Sequence, residues 1–382
     1  MACNELRILY PGTIYPNGMS GGYLRTFNIA MLLSNRFDKI SVFACDNNFP
    51  YKGNISGVFV VQGKYHKSFP DRIRSYLDSF FLNSFSLKSQ DAAFDNIQNS
   101  LFQIEGPYYL NLLKKKGIKK YILNEHNVYW ELAEMPTHDL KTDLYNKLTF
   151  NRNKIIEIKA IQNASHVLTC SEIDKQKLLS NVPEMSESVT VIPNCVNLSE
   201  YELSEKLSEN VEGNIYFVLF IGLMSYFPNS DAVQLICTKI APKLDDKIRF
   251  IIIGKEPPTI RKPKNVDFLG YVDDVKRYIR KSDICIAPLR YGSGTRLKIL
   301  EYMALGKPVI STSKGAEGLE YINSVNMIIE DNIDSFPERI LELIEKKSKR
   351  DEIGKNARQL IEEKYDWDIY KEKLVRIYEE IQ

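Results

Sequence analysis

The chain has 382 residues, of which 44% are hydrophobic and 26% charged, and its net charge is +2. That balance describes a globular protein with apolar content for two α/β cores. A charge so near neutrality, with no nucleic-acid-reading motif, argues against a DNA- or RNA-binding role, and no apolar run reaches spanning length.

Taken in chain order, the first half alternates short apolar runs with helical patterns. Leu6–Tyr10, Ile40–Ala44, Val58–Val61, Leu101–Ile104, Tyr121–Leu123, Val167–Thr169 and Val189–Ile192 read as strands. Continuous apolar runs separated by helices indicate parallel strands buried on both faces. The first strand ends in Tyr10-Pro11-Gly12, and a loop leads to Ser20-Gly21-Gly22 before a helix predicted over Tyr23–Asn35. Gly21 and Gly22 would let a ligand approach the helix start, and Arg25 would add a cation there. An ordinary glycine turn before a helix explains the same residues equally well. Tyr121–Leu123 runs into Asn124-Glu125-His126-Asn127, a polar cluster just past a strand's carboxyl end, where open parallel sheets bind ligands.

The segment SEYELSEKLSENVEGN is polar and acid-rich and reads as a linker over 199–213. A second alternating series follows: Tyr216–Ile221, Phe250–Ile253, Val266–Leu269, Ile284–Ala287, Val309–Ser311 and Met327–Ile329. Charged amphipathic helices are predicted over Ser335–Lys347, Lys349–Lys364 and Trp367–Gln382. The organisation is therefore an α/β pair of Rossmann-like, doubly wound domains, 1–198 and 214–364, facing a central cleft, with a last helix over 365–382.

The most informative stretch is PLRYGSGTRLKILEYMALGKPVIST, Pro288 to Thr312. It reads as strand, glycine loop (Gly292, Ser293, Gly294, Thr295), helix and strand, with Leu297, Leu300, Ala304 and Leu305 making one helix face apolar. Thr295 is the expected N-cap. Arg296 and Lys298 then fall in the first turn, where cations oppose the helix dipole by about a few tenths of a kcal/mol each. Their presence makes sense if an anion occupies that helix start, held by loop N–H groups and both cations. Glu301, one turn on, can accept hydrogen bonds from hydroxyls. Phosphate beside hydroxyls is what a nucleotide sugar offers. Gly222, Pro228-Asn229, Gly254-Lys255 and Gly270-Tyr271 end or follow other strands of the same domain.

Cys3, Cys45, Cys170, Cys195, Cys237 and Cys285 are scattered with no C-x-x-C pair, as expected of reduced thiols in a cytoplasmic protein. His66, His126, His138 and His166 form no metal-ligand spacing. The only D-x-D string, Asp366-Trp367-Asp368, opens a helix rather than ending a central strand, so it is not read as a metal site.

The elements FIGLMSYFPNSDAV, GYVDDV, APLRYGSGTRLKILEYMALGKPVIS and the trailing GAEGL, in this order, resemble the GT-B glycosyltransferases of family 4, the retaining group 1 transferases. The resemblance runs nearly end to end and is most specific from Gly222 to Leu319. It implies a UDP- or GDP-sugar donor in the second domain, an acceptor in the first, no cofactor beyond the donor, and a last helix crossing back. It also implies that Gly21 and Gly22 lie near the donor diphosphate, His126 near the donor sugar, and Glu301 on the ribose. Glu301 is the second position of the family's E-x7-E motif; Ser293 stands at the first. Where the common pattern has Arg and Lys phosphate clamps, this chain has Leu223 and Pro228, and Arg296 and Lys298 are the expected replacements, as in the subgroup carrying a GSGTR loop.

The expected reaction is a metal-independent, retaining hexosyl transfer to a saccharide or lipid-linked acceptor, in cell-envelope polysaccharide or glycoprotein glycan synthesis. Competing readings are a nucleotide-sugar-binding pseudoenzyme and a GT-B epimerase or hydrolase. The basic cluster Lys114, Lys115, Lys116, Lys119 and Lys120, and the stretch containing Arg72, Arg74, Phe80, Phe81 and Phe85, suggest peripheral contact with the inner face of a membrane; solvated charges beside core aromatics account for them as well.

Overall fold

A computed structural model of the chain describes residues 4–11, 21–45, 51–55, 58–63, 93–137, 139–203, 215–256 and 258–381. Gly12, Ser20, His66, Arg72, Arg74, Phe80, Phe81, Phe85, His138 and most of the expected linker lie outside the described residues. The chain forms two compact units. One comprises Met1–Glu134, Leu144–Pro193 and Trp367–Gln382; the other comprises Met135–Asp143 and Asn194–Asp366.

The first unit contains β1 (Glu5–Leu9), α1 (Gly21–Leu32), β2 (Lys39–Cys45), β3 (Tyr51–Ile55), β4 (Val58–Gly63), β5 (Ser100–Glu105), α2 (Leu110–Lys115), β6 (Tyr121–Asn124), α3 (Tyr129–Glu134), most of α4 (Leu140–Asn163), β7 (His166–Thr169), α5 (Glu172–Leu179) and β8 (Val189–Val191). The sheet order is β3-β4-β2-β1-β5-β6-β7-β8. Every described pairing is parallel except β3 with β4. The apolar runs are buried as their sequences demand; Leu6, Ile8, Leu9, Ile104, Ile122 and Leu123 are fully enclosed. Strand β3 was not expected. Its sequence, YKGNI, carries no apolar run, because an edge strand paired on one side need not be buried on both faces.

The second unit contains β9 (Tyr216–Ile221), α6 (Phe227–Leu235), β10 (Ile248–Ile253), β11 (Val266–Gly270), α7 (Val275–Lys281), β12 (Ile284–Ala287), α8 (Leu297–Ala304), β13 (Val309–Ser311), β14 (Ile328–Ile329), α9 (Phe336–Glu345) and α10 (Lys347–Lys364). Its sheet is parallel, in the order β11-β10-β9-β12-β13-β14. Order reverses beside β9, so the carboxyl ends of β9 and β12 flank the switch point where such sheets bind ligands. The division between units falls at Pro193/Asn194, five residues before the expected boundary.

Helix α11 (Trp367–Ile381) belongs to the first unit. It buries Trp367, Leu374, Ile377, Tyr378 and Ile381, with the Tyr378 ring edge-on to Phe37 at 6.3 Å. Arg36 and Glu379 add an ion pair at 2.9 Å.

Candidate nucleotide-sugar site

In the second unit, β12 delivers the chain into the glycine loop and α8 carries it away. Gly294 has φ +69°, a left-handed turn that favours glycine. At Gly292, a Cβ would lie 2.4 Å from the Arg296 guanidinium, which folds back over the loop. Arg296 Nη1 donates to the carbonyl oxygens of Ser293 and Gly294, the latter at 2.5 Å. The expected N-cap is corrected here. The helix begins at Leu297, Arg296 occupies the cap position without a capping side chain, and Thr295 is one residue too early. Thr295 Oγ1 instead accepts a hydrogen bond from Asn194 Nδ2 at 2.7 Å. The backbone donors of the first turn are therefore not taken up by a capping side chain.

Lys298 stands in that first turn. Its Nζ donates to Asn229 Oδ1 at 2.6 Å and lies 4.3 Å from the centroid of the Phe220 ring. The residue as a whole is half-buried. Burial, with the Arg296 guanidinium beside it, pushes its pKa down to about 7. Asn229 is in turn fixed by donating to the Leu223 carbonyl at 2.8 Å. A Cβ on Gly222 would meet the Asn229 amide at 2.6 Å, so glycine is what lets that amide reach Lys298. Glu301 Oε1 accepts the Tyr201 hydroxyl at 3.0 Å, and burial raises its pKa against the opposing pull of Tyr201, Lys276 and Lys298. Arg290 grips Asp231 of α6 through two bonds of 3.0 and 2.5 Å, tying the loop to the neighbouring helix.

In the first unit, the carboxyl ends of β5 and β6 hold a buried polar network. Glu105 accepts from His126 Nε2 at 2.5 Å, from Asn124 Nδ2 at 2.8 Å and from Gln103 Nε2. Gln103 Oε1 accepts from the Tyr378 hydroxyl of α11. Glu105, Gln103, Asn124 and Tyr378 are each 0% exposed. With three donors converging on Glu105, His126 Nε2 is the donating nitrogen, and Nδ1 lies on the other edge of the ring. That edge of the ring packs against Gly22 at the start of α1, where a Cβ would sit 3.6 Å from Nδ1. Gly21, the first residue of α1, is exposed.

Arg25, the cation expected at that helix start, is buried there. It is 1% exposed; its Nε donates to Asn124 Oδ1 at 2.9 Å and its Nη1 to the Ile192 carbonyl at 2.7 Å. It fastens α1 to the ends of β6 and β8. The structure thus gathers Gly222, Gly292, Ser293, Gly294, Thr295, Arg296, Lys298 and Glu301 around one helix start, and Gly21, Gly22 and His126 around another. Sequence reading missed Glu105, Gln103, Tyr201 and Tyr378. The signal for the first two was present: a Gln and a Glu inside the strand SLFQIE, which is otherwise apolar enough to be enclosed.

Residues 216–346 match the family described as Glycosyl transferases group 1. An uncharacterized glycosyltransferase of Methanocaldococcus jannaschii is 23% identical over 257 residues, 63% of this chain and 65% of that one. A GDP-mannose-dependent monoacylated alpha-(1-6)-phosphatidylinositol monomannoside mannosyltransferase of Corynebacterium glutamicum is 26% identical over 152 residues, 36% of this chain and 40% of that one. The chain thus spans less than two thirds of the length of these curated relatives. The structure of Anabaena HepE in complex with UDP-glucose superimposes with a TM-score of 0.69 at 14% identity, covering 97% of this chain and 98% of that one. The match to the group 1 glycosyltransferases thus covers the second unit, and the chain as a whole has the GT-B fold.

Proposed function

We propose that this chain transfers a sugar from a nucleotide-diphosphate donor to a saccharide or lipid-linked acceptor, with retention at the anomeric carbon. The observation that carries the reading is the α8 start: two cations, uncapped helix N–H groups and a carboxylate one turn on, at a switch point of a parallel sheet. The donor diphosphate would sit against Lys298, Arg296 and the loop N–H groups, with the ribose hydroxyls on Glu301. As the bond from the anomeric carbon to the phosphate oxygen breaks, negative charge grows on the leaving diphosphate. Fixed cations and N–H groups aimed at that charge lower the barrier most where water is excluded. The acceptor oxygen bonds to the same face of the carbon, and its proton passes to the departing phosphate oxygen.

Lys298 supplies more than a point charge. Its pKa of about 7 shows how costly the isolated ammonium is in this position. A diphosphate would reverse that cost and return the lysine to its charged form. His126, oriented through Nε2 by Glu105, would stand beside the donor sugar. These cations fill the role that a divalent metal takes in other phosphate sites, so turnover should survive chelation.

UDP-glucose is the ligand of the Anabaena structure, and GDP-mannose is named for the Corynebacterium enzyme, so both bases belong in the test. The test is thermal-shift binding of UDP, GDP, ADP and their sugars with EDTA present. A ligand at about 100 times its dissociation constant stabilises by about 2.7 kcal/mol. One nucleotide should raise Tm without metal. Absence of any shift across the panel would overturn the assignment.

A further inference from the structure

The outer face of α4 carries an apolar stripe that the donor chemistry does not use. Leu144 is 60% exposed, Leu148 is 76% exposed and Ile155 is 46% exposed. At about 100° per residue, these three fall within roughly 40° of arc on one side of the helix. The opposite side is the packed one: Thr149, Glu157, Ala160 and Ile161 are buried and Phe150 leans on the core of the first unit, as does Ile158 at one edge of the stripe. The stripe has an exposed cation on each flank, Lys147 on one side and Lys159 on the other; beside them Arg152 and Lys154 are half-buried, the Lys154 ammonium 5.3 Å from the centroid of the Trp130 ring. Between residues 144 and 163 the only carboxylate is Glu157. It is 0% exposed and accepts from the Tyr129 and Trp130 backbone N–H groups at 2.9 and 3.0 Å.

That pair of bonds also locates the stripe. Glu157 is level with the start of α3, three residues after His126. From there α4 runs about 20 Å back to Leu144, at about 1.5 Å per residue. Leu144 and Leu148 therefore lie past the carboxyl edge of the sheet, the edge on which His126 sits. The Lys114–Lys120 cluster precedes the first residue of β6 and so lies at the opposite edge.

We propose that this face of α4 docks on an anionic lipid bilayer, with Leu144, Leu148 and Ile155 entering the headgroup boundary and the flanking cations pairing with lipid phosphates. Apolar side chains edged by lysine and arginine match that boundary, where long cationic stems reach back to the polar layer. A second copy of the chain fits less well, since a twofold pairing through this face would set cations against cations. The inference rests on the transferase reading, to which it adds how a lipid-linked acceptor reaches the first unit.

The experiment uses the full chain with vesicles of phosphatidylcholine alone and of phosphatidylcholine with phosphatidylglycerol, read by co-sedimentation at low and physiological salt. The wild type should sediment with the anionic vesicles only, and less as salt rises. Leu144→Glu with Leu148→Glu should cut partitioning by about tenfold or more, while Lys147→Glu with Lys159→Glu should remove the preference for anionic lipid. Both pairs are surface changes, checked by an unchanged Tm. Equal sedimentation of wild type and the Leu pair would overturn the proposal. So would a dimer in ultracentrifugation that the Leu pair dissociates, since a second copy would then be the occupant. Nucleotide thermal shift on the same samples separates the two claims. Nucleotide binding without vesicle binding sinks this inference alone; vesicle binding without nucleotide binding sinks the transferase reading and leaves the surface standing.

Discussion

The two units expose different chemistry at the carboxyl edges of their sheets. In the second, the important groups come from one short stretch, Gly292 to Glu301, with Asn229 and Gly222 arranged so that Lys298 points the right way. In the first, His126 is held by a chain of buried partners, Glu105 and Gln103 of β5 and Tyr378 of the last helix. One edge is built from local motif, the other from long-range assembly. The difference teaches where the reaction's charge is handled and where its geometry is fixed, and each assignment can be broken separately.

The sharpest break is Lys298→Ala. If the second unit carries the leaving-group charge, kcat should fall by about 10² to 10³, the usual cost of removing one transition-state donor. Tm should hardly change, because the residue sacrificed is a buried cation rather than core packing. A kcat within threefold of wild type, roughly 0.7 kcal/mol, would remove Lys298 from the charge-handling role.

Next comes Glu105→Gln, which tests the first unit. The glutamine amide sets its own NH2 against donors that now converge on a carboxylate, so His126 should lose its fixed orientation. We expect kcat to fall about tenfold while the dissociation constant for the nucleotide, read by thermal shift, stays put. A fall in nucleotide affinity instead would mean that the network merely holds the fold of β5 and β6. Tyr378→Phe, one step further out, should show the same split at smaller amplitude.

This contrast also explains what could be read from the sequence. Strands such as Ile284–Ala287 and Tyr216–Ile221 were legible because burial on both faces leaves an unbroken apolar run. The α8 loop was legible because glycine, cation and carboxylate recur within ten residues. Glu105 was not, since its partners lie at positions 103, 124, 126 and, through Gln103, 378, and nothing local announces that they meet. The partners of Arg25 were hidden for the same reason: a cation near a glycine-started helix does not announce in sequence that it meets Asn124 and the Ile192 carbonyl. Strand β3 escaped because edge pairing with β4 is enforced by its neighbour rather than by its own residues.

Donor binding should carry a pH signature traceable to Lys298. In the free protein its pKa is about 7, and a bound diphosphate raises it. The complex therefore holds more protons than the free protein above pH 7. Affinity is fully present below that value and falls as pH rises, by up to about tenfold per unit until the pKa of the complex is passed. Calorimetry in buffers of different ionisation enthalpy should find net proton uptake on binding at pH 8, and Lys298→Met should abolish it. Uptake that persists in the variant would assign the proton to another group.

The smallest effect separates the acids of the first unit that serve the site from those that do not. Glu125 is 2% exposed with neither carboxylate oxygen hydrogen-bonded, and burial, with Glu157 and Glu105 nearby, raises its pKa well above the ordinary value. Burial likewise raises Glu157 to about 8, against the pull of its two backbone donors. Both acids bind more protons folded than unfolded once pH exceeds the ordinary carboxylate value near 4.5. Their contribution to stability is therefore full below that pH and is lost as pH rises, for Glu157 through about 8. Glu125→Gln removes one such proton linkage without deleting a hydrogen bond. Its Tm should match wild type near pH 4.5 and exceed it by pH 8, a gain on the order of 1 kcal/mol, with kcat unchanged relative to the Glu105 and Lys298 variants. A parallel pair of Tm–pH curves would show Glu125 already neutralised by a partner, and would place it inside the Glu105 network rather than beside it.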